Sequence, residues 1–558
     1  AAAKEIENTG DGDGSSPGTP ILIKDAAELA YLAQQVNAGG DLNLTNGGTF
    51  LNNDGFPGIY FALSADIDLE GGNWTPIGID SYGYGYFKGH FDGRGYTVKG
   101  LTVNGEMSFA GLFGRIVNGT LCNLGVSLHE DGIKVSSVAG VQAGGIVGLL
   151  IGLSGDVSLR NCYVVGNGKV EGTSTSSDSS VGGIAGAVVI SGSGTASFTH
   201  CYATVAVEAE ATDRCVAGGI VGGFSGMSSR ILSHTYATGS VKANGGENQY
   251  AGGICGFKGD GDLILTHNLA LNSKVAVESG SDCHRIVGYD GFPDLGSISS
   301  NYARPAMLLN GRPVTSTNAD DRNGAPTWSN KLKEDLDLSS NEWNNAWIWE
   351  DGKLPKLKKL VDAGKNTYGD ALSGQTPYSV EDYLSLSWKD AAAKEIENTG
   401  DGDGSSPGKA ILIKDAAELA YLAQQVNARG DLTLTDGGTI RNNSGFLGIY
   451  FALSADIDLE GGNWTPIGGD NPFRGHFDGR GYTVKGLTVI GDMPYAGLFG
   501  YVTGSTLCNL GVSLHEDGIK VSSVDGVFAG GIVGLLNGFL GDVSLRNCYV
   551  VGNGKVEG

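Results

Sequence analysis

The sequence of 558 residues has no apolar run near the roughly 20 residues of a membrane-spanning helix, so it predicts no membrane-spanning segment. Basic residues are scarce: 37 Lys and Arg stand against 61 Asp and Glu, for a formal net charge of −24. Binding to nucleic-acid phosphates or to anionic lipids depends on clustered Lys and Arg. The charge balance therefore argues against a nucleic-acid partner and favours a solvated acidic surface.

Common catalytic motifs are also missing. The sequence has no His-Glu-x-x-His zinc pattern and no Walker-type phosphate loop. His129 lies beside two acids but has no second His four positions later, which is typical of a solvated turn. The segments Gly152–Gly155 and Gly222–Met227 lack the Gly-x-Ser-x-Gly arrangement of an α/β-hydrolase. The sequence thus favours a protein that is not an enzyme.

Glycine, by contrast, is abundant, with 94 residues or about 17% of the chain against a usual share near 7%. No Gly-x-y period occurs, which excludes collagen. Hydrophobic residues make up 40% of the chain, enough for a buried core. Many Val, Ile and Thr residues and few long helical patterns predict short strands joined by tight corners, and hence an all-β fold.

A long internal repeat divides the chain. Residues 391–468 repeat 1–78 with few changes, and after a four-residue deletion the match continues to the end. Gly125–Val138 is identical to Gly511–Val524, and Gly155–Gly172 to Gly541–Gly558. The sequence therefore predicts one complete module and the first part of a second, with a longer parent protein of further copies.

A five-residue motif recurs inside the module. Its final glycines lie 34, 38, 36, 34 and 32 residues apart. Strand-like segments follow each copy, and we expect three strands per repeat to form one coil of a parallel β-helix (β-solenoid), with glycines at the corners. The copies are Ala110–Gly114, Gly144–Gly148, Gly182–Gly186, Gly218–Gly222, Gly252–Gly256 and the degenerate His284–Gly288.

The two ends of a coil stack need caps. Asp25 and Glu28 form a capping-box pattern, and the apolar side chains that follow them predict an amphipathic capping helix at the front. At the back, Trp328, Trp343, Trp347 and Trp349 predict a Trp-rich C-terminal cap over the final coil. The predicted domains are a linker at 1–17, the first complete module at 18–360, a linker at 361–407 with a helix at 379–397, and a truncated second module at 408–558.

Together these motifs resemble the GLUG-motif repeat family. The resemblance covers roughly 11–360 and again 401–558, and it implies a β-solenoid from a secreted bacterial surface or adhesin-like protein, or from the non-catalytic part of some immunoglobulin A proteases. The implied localisation is extracellular, at the bacterial cell surface. The segments that carry the resemblance are Gly10–Pro17, Asp25–Ala33, Asp66–Leu69, Asn73–Gly78, Phe87–Gly95 and Trp347–Lys356.

Two groups of residues are candidates for binding. Tyr82, Tyr84 and Tyr86 alternate with Gly, so they can share one face and either contact a partner or pack locally. Calcium is a possible ligand of a second group, which resembles the start of a calcium loop but lacks the closing Glu, and a linker turn is the alternative. This group consists of Asp11, Asp13, Asp401 and Asp403.

The best enzymatic alternative is a polysaccharide-degrading β-helix, which needs carboxylates that converge on one face. Asp66 and Asp68 lie two positions apart on a predicted strand and share a face, but they also fit ordinary apolar-in, polar-out alternation. Asp92 fits a turn, and Asp320 and Asp321 are further candidates.

Three cysteines are predicted to occupy one column of the stack, namely Cys122, Cys162 and Cys201, with Thr235, Asn268 and Asn301 after them. Side chains stacked about 4.8 Å apart favour a ladder of free thiols over disulfides, which need Cβ atoms about 3.8 Å apart. Both states stay open.

We therefore expect a non-enzymatic extracellular surface protein that acts as an adhesin-like or structural stalk. Its partner would be a protein or glycan of a host or neighbouring cell, or further copies of itself. The alternatives are a self-assembling filament or surface-layer component and a polysaccharide-degrading enzyme. The sequence indicates no cofactor other than possible calcium.

Overall fold

The computed structural model forms two compact units, Ala1–Ser385 and Leu386–Gly558. Each is a parallel β-solenoid, which confirms the predicted fold class. The structure describes residues 2–10, 12–79, 85–226, 228–278, 282–291, 296–304, 307–310, 312–313, 318–327, 332–336, 342–350, 353–362, 367–375, 378–380, 395–398, 400, 402–459, 462–523 and 526–558.

Four sheets of almost entirely parallel strands run along the first unit, because the strands of each coil pair with those of the next. Sheet A has nine strands: Ile21–Ile23, Tyr60–Leu63, His90–Asp92, Thr120–Cys122, Val157–Arg160, Ala196–Thr199, Arg230–Ser233, Leu263–Thr266 and Gly296–Ser299. Sheet B has fifteen: Ile67–Asp68, Thr97–Glu106, Gly125–Ser137, Tyr163–Gly166, Val170–Ser174, Tyr202–Ala203, Val207–Glu210, Tyr236–Ala237, Val241–Asn244, Leu269–Ala270, Lys274–Val277, Tyr302–Ala303, Leu308–Leu309, Arg312–Pro313 and Ala325–Pro326.

The other two sheets have six strands each. Sheet C contains Phe109–Ala110, Val141–Gly144, Ser179–Gly182, Arg214–Gly218, Asn248–Gly252 and Cys283–His284. Sheet D contains Phe113–Val117, Val147–Gly152, Ala185–Ile190, Val221–Gly226, Cys255–Lys258 and Val287–Asp290. A typical coil therefore has five short strands, two of which lie in sheet B. The sequence predicted three strands per coil. The extra corners arise because the alternating segments bend between their buried positions.

The repeated motif forms the corner between sheets C and D. Its glycines are required by close approach of neighbouring coils. A Cβ added at Gly182 would lie 2.0 Å from the Ala185 carbonyl oxygen and 2.7 Å from the Gly222 nitrogen. The corner between sheets A and B differs, because its left-handed residues are not glycine. These residues are Asn123, Asn161, His200, His234, His267 and Ser300, with φ between 51° and 59°.

The capping helix Ala26–Ala38 lies at the first coil, as predicted. Asp25 accepts hydrogen bonds from the N–H groups of Ala27 and Glu28, and the helix ends at Gly39 with φ 65°. Leu29, Leu32 and Val36 are completely buried in the core of the first unit. The helix thus covers the apolar face that the first coil would otherwise expose.

The Trp-rich C-terminal segment lies elsewhere than predicted. The Trp347 ring centroid is 5.5 Å from that of Tyr236 and 6.2 Å from that of Tyr202, in the middle of the stack. These tyrosines stack on the outer side of sheet B, so the tryptophans cover the side of the solenoid, where this aromatic ladder needs burial. The segment contains Leu332–Asp335, Glu342–Ala346, Trp347–Ile348, Lys356–Asp362 and Thr367–Ala371. Trp328 lies outside the described residues.

The second unit repeats this architecture over fewer coils. A five-stranded sheet contains Ile411–Ile413, Tyr450–Leu453, His476–Asp478, Thr506–Cys508 and Ser544–Arg546. Another contains Ile457–Asp458, Thr483–Asp492, Gly511–Ser522, Tyr549–Gly552 and Val556–Glu557. Two-stranded sheets pair Tyr495–Ala496 with Phe528–Ala529 and Phe499–Thr503 with Val533–Asn537. The capping helix is Ala416–Ala428, and 3₁₀ turns lie at Pro407–Lys409 and Gly538–Leu540.

Short antiparallel pairs complete both units, Leu42–Asn43 with Thr49–Phe50 and Leu432–Thr433 with Thr439–Ile440. The predicted helix at 379–397 falls mostly on 381–394, outside the described residues. At its two edges, Ser379 forms a bridge with Lys353, and Ile396 forms one with Leu434. The predicted linker at 361–407 contains the boundary between the two units, and its exact limits stay a prediction. In the described part of the chain no helix is long and apolar enough to cross a membrane.

All eight cysteines are free thiols. The predicted column is confirmed for Cys162 and Cys201, because the residues that directly follow them, Tyr163 and Tyr202, pair with each other in neighbouring coils. It is wrong for Cys122, which pairs with Arg160, because Leu121 and Leu159 occupy the same core position. Further along the column, the Asn268 Oδ1 atom accepts a hydrogen bond from the Thr235 hydroxyl at 2.8 Å.

Candidate contact surface

Sheets C and D each carry one outward column of residues in register; most of them are half-buried, whereas Val216 and Gly223 are buried. In sheet C each column residue directly precedes a buried Ala or Val, and in sheet D each directly follows the last glycine of the motif. The sheet C column is Phe109, Gln142, Ser180, Val216 and Tyr250. The sheet D column is Arg115, Leu149, Ala187, Gly223, Phe257 and Tyr289.

Three aromatic side chains meet where these columns end. The Tyr250 ring centroid lies 4.5 Å from that of Tyr289 and 5.5 Å from that of Phe257, and the Phe257 and Tyr289 rings stack at 5.5 Å. Arg214 lies over the Phe257 ring at 5.1 Å and pairs with Asp178 at 2.6 Å. All three rings are half-buried, so they form a partly exposed aromatic cluster. Burial raises the pKa of the Tyr250 hydroxyl, which stays protonated at neutral pH.

A polar cavity of about 610 Å³ adjoins this cluster. Tyr289 lines the cavity and also belongs to the aromatic cluster, so the two form one continuous surface. Asp290 pairs with the buried Lys258 at 2.6 Å, and Asp282 pairs with Arg322 at 3.4 Å. The other lining residues are Ser297, Ile298, Asp320 and Asp321.

Of the three tyrosines predicted to form a contact surface, Tyr82 and Tyr84 fall outside the described residues. Tyr86 lies at the opposite end of the columns. Tyr86 lies beside two cations, with the Lys88 Nζ atom 4.9 Å and the Arg115 guanidinium 5.6 Å from its ring centroid. Arg115 also lies over the Phe109 ring at 4.8 Å. Tyr86 therefore borders the same pair of columns as the aromatic cluster.

The aromatic cluster was missed by reasoning from the sequence, although a signal was available. The last two motif copies are each followed directly by an aromatic residue, Phe257 and Tyr289, where the four earlier copies have Arg115, Leu149, Ala187 and Gly223. The sequence alone does not place Tyr250 beside them. Its position next to Phe257 and Tyr289 depends on which residues of neighbouring coils pair, and on the corner that joins sheets C and D.

The second unit carries a different aromatic group at the corresponding surface. Tyr495 lies 5.3 Å from Tyr501 and 6.1 Å from Phe528, measured between ring centroids. By the sequence repeat these three residues replace Phe109, Arg115 and Gln142 of the first unit. The copies thus differ in the outward columns while their cores stay alike.

The candidate calcium residues form turns. Asp11 and Asp401 lie outside the described residues. The Asp13 carboxylate accepts hydrogen bonds from the Ser15 hydroxyl at 2.6 Å, from the Thr19 hydroxyl at 2.7 Å and from the Ser15 N–H, and these lower the pKa of Asp13 to about 2. Asp403 accepts the same bonds from Ser405. Over the described ranges no group of three or more His, Cys, Asp or Glu side chains could hold a metal ion. Calcium binding stays a prediction.

The acids considered for polysaccharide cleavage each accept hydrogen bonds from neighbouring groups. Asp66 accepts from the Thr97 N–H and the Ser373 hydroxyl, and it pairs with Lys99 at 2.8 Å. Asp92 accepts from the Arg94 N–H and the Asn123 amide. The remaining acids, Asp68, Asp320 and Asp321, accept from the N–H groups of Glu70, Ser300, and Asn323 with Gly324. Only Asp320 and Asp321 line the cavity beside the aromatic cluster.

The fold defines the class of the protein, a parallel β-solenoid, and its first unit carries a partly exposed aromatic cluster beside an acidic cavity. No family model matches the chain, and no curated protein sequence matches it. Its fold is similar to the crystal structure of a proposed immunoglobulin A1 protease from Bacteroides ovatus, with a TM-score of 0.41 and 21% identity, over 60% of this chain and 91% of that one. At this distance the likeness indicates nothing about activity.

Proposed function

We propose that this chain is a non-enzymatic extracellular repeat protein of a bacterial surface, which serves as an adhesin-like stalk. Parallel coils that bury a continuous core make a stiff scaffold within each unit, and a duplicated module adds further coils without needing a new active site. The acidic surface, with a formal charge of −24, keeps such an exposed protein soluble. The partner is a glycan or protein of another cell.

One observation carries the adhesive role: Tyr289 belongs both to the aromatic cluster and to the acidic cavity. Sugar rings stack their C–H faces on aromatic side chains, and their hydroxyls hydrogen-bond to carboxylates and guanidinium groups. Asp320, Asp321 and Arg322 supply such groups. Because aspartates outnumber cations in the cavity, this surface favours a neutral or amino-bearing glycan over an acidic one.

A glycan array with the full chain tests this proposal. Signal on neutral or amino-bearing glycans should fall strongly when Phe257 and Tyr289 are both changed to Ala. The matched control changes Tyr501 and Phe528 of the second unit to Ala and should leave that signal unchanged. Equal binding by both double variants would exclude the aromatic cluster as the contact site.

Enzymatic activity is tested on the same material. Polysaccharides that bind should stay intact during incubation with the chain, as judged by size-exclusion chromatography of the products. Cleavage that disappears in Asp66→Ala or Asp92→Ala would instead favour the polysaccharide-degrading alternative. Ordered polymers of the purified chain in electron micrographs would favour the filament or surface-layer alternative.

A further inference from the structure

Two charged residues stand in a column of the first unit that is otherwise apolar. The inward column of sheet D has completely buried apolar side chains in its first four coils, and then Lys258 and Asp290 in the last two. The Lys258 side chain is 1% exposed and the Asp290 side chain 8%. A Lys and an Asp have thus entered the hydrophobic core on neighbouring coils. The apolar members of the column are Ile116, Leu150, Val188 and Phe224.

The two charged side chains are in direct contact. The Lys258 Nζ atom lies 2.6 Å from the Asp290 Oδ1 atom. An ion pair taken out of water costs more desolvation energy than apolar side chains of similar volume, and its Coulomb attraction often returns no more than that cost. The pair therefore does not strengthen the core in the way that the four residues before it do.

A second buried cation lies in the same part of the core. Arg230 is completely buried, and its Nη2 atom donates to the Asp260 carbonyl. Among the described residues its Nε and Nη1 atoms have no hydrogen-bond acceptor. Desolvation raises the pKa of the Cys255 thiol to about 12. The charges of Arg230, Asp290 and Lys258 also act on this thiol, so the three groups lie close to it.

The pair joins the last two strands of sheet D. Val287–Asp290 is the final strand of this sheet, and it pairs with Cys255–Lys258 in the coil before it. A final strand has a neighbour on one side only, so a stack of coils opens there most readily. Asp290 also lines the acidic cavity of about 610 Å³. Its carboxyl group therefore has a route to solvent.

We propose that Lys258 and Asp290 form an intramolecular isopeptide bond, an amide between the Lys258 Nζ atom and the Asp290 Cγ atom. Transfer of one proton from Nζ to the carboxylate gives an amine and a carboxylic acid, and an apolar core favours this neutral pair over two charges. The nitrogen lone pair then attacks Cγ and a C–N bond forms. The C–OH bond breaks, and the hydroxyl leaves with one proton of the amine as a molecule of water.

The surroundings of the pair favour this reaction. Because the two groups are held in contact, the attack is unimolecular. The Nε–H and Nη1–H groups of Arg230 are available to stabilise the negative charge that develops on the Asp290 oxygen during attack. The released water leaves through the cavity that Asp290 lines. The product replaces a buried ion pair with a neutral amide and fastens the final strand of sheet D to its neighbour.

The test is the mass of the purified full chain under denaturing conditions. The wild-type chain should be lighter than its sequence by one molecule of water, and a tryptic digest should contain the Lys258 peptide joined to the Asp290 peptide. Lys258→Met, which keeps the length of the side chain, should have its full sequence mass. Asp290→Asn should form the same bond with loss of ammonia, so its mass should equal that of the wild type. Arg230→Met should lower the linked fraction severalfold, and an unchanged fraction would overturn the role of Arg230.

An Asp followed by Gly, as at Asp290 and Gly291, also loses water when it closes onto its own backbone. Lys258→Met separates the two reactions, because only the isopeptide bond needs the lysine. The matched control in the same digest is Lys99 with Asp66, an ion pair of 2.8 Å whose side chains are 44% and 34% exposed and which should stay unlinked. A wild-type chain of full sequence mass, or a loss of water that persists in Lys258→Met, would overturn the proposal. None of these results depends on glycan binding.

Discussion

Asn123 and Leu360 are 237 residues apart, and the side-chain amide of one hydrogen-bonds both polar groups of the other's backbone. Asn123 is completely buried and adopts a left-handed φ of 51°. Asn tolerates this conformation better than most residues. A residue that turns the corner of a coil therefore also holds a distant β-hairpin against the side of the solenoid. This hairpin is formed by Lys356–Asp362 and Thr367–Ala371.

Replacing Asn123 by Ala should destabilise the first unit by about 2–4 kcal/mol, since its hydrogen bonds with Asp92 and Asn161 are lost and, in addition, the two buried backbone groups of Leu360 lose theirs. The matched change Asn509→Ala should cost about 1 kcal/mol, because no hairpin contact is lost there. Urea unfolding of the full chain measures both. Equal costs would contradict the role of Asn123 in holding the hairpin.

Acid should loosen the hairpin through Asp66. Desolvation raises the pKa of this carboxyl, but Lys99, the Thr97 N–H and the Ser373 hydroxyl together hold the pKa below its ordinary value. Such a group stabilises the fold above its unfolded pKa, and that contribution disappears as the pH falls through the lower folded pKa. The difference in stability between wild type and Asp66→Asn should therefore shrink below pH about 4. Urea unfolding between pH 7 and pH 3 measures it, and a constant difference would contradict this origin.

Arg429→Gly should stabilise the second unit. Arg429 ends the capping helix with φ 57°, where the first unit has Gly39 with φ 65°. The left-handed conformation costs a non-glycine residue roughly 1–2 kcal/mol, and the exposed hydrogen bond from Arg429 to Asn471 returns only part of it. We expect a gain of about 0.5–1 kcal/mol in thermal or urea unfolding. Gly39→Arg is the control and should destabilise the first unit; a loss of stability in both variants would refute this explanation.

The buried thiols should resist alkylation. Burial raises the pKa of Cys215 and of Cys255 to about 12, so almost no thiolate forms near pH 8. Cys508 and Cys548 are more accessible and should react before Cys215 and Cys255. Mass spectrometry of peptides after timed iodoacetamide treatment measures the order, with urea-unfolded chain as the control in which all eight react. Protection of Cys548 together with rapid modification of Cys215 would be inconsistent with this structure.

Much of the fold was predictable because it follows from spacing. Glycines 32–38 residues apart set the length of a coil, and alternation around Leu159 or Leu232 sets which side chains enter the core. The number of strands per coil was not predictable, since bends between buried positions leave no distinct residue pattern. The column of Cys122 was misplaced for a related reason, because its register depends on Leu121 fitting above Leu159.

The contact surface was only partly accessible from the sequence. Tyr86 stood out because it alternates with glycine, whereas Tyr250 and Tyr289 are 39 positions apart in the chain and meet only through coil register. The Trp residues were recognised as a cover, but which surface they cover depends on the stacked tyrosines of sheet B.

The sequence by itself determined the coil length, the inward and outward faces and the capping helix, because each rests on local spacing and short-range hydrogen bonds. Tertiary structure alone decided which surfaces are filled. Asn123 and Asn161 turn corners of the coils, but Leu360 and Lys358, whose carbonyls accept their hydrogen bonds, lie 237 and 197 residues further along the chain. Which distant segment covers a surface depends on how the coils stack, and the local sequence does not contain that information.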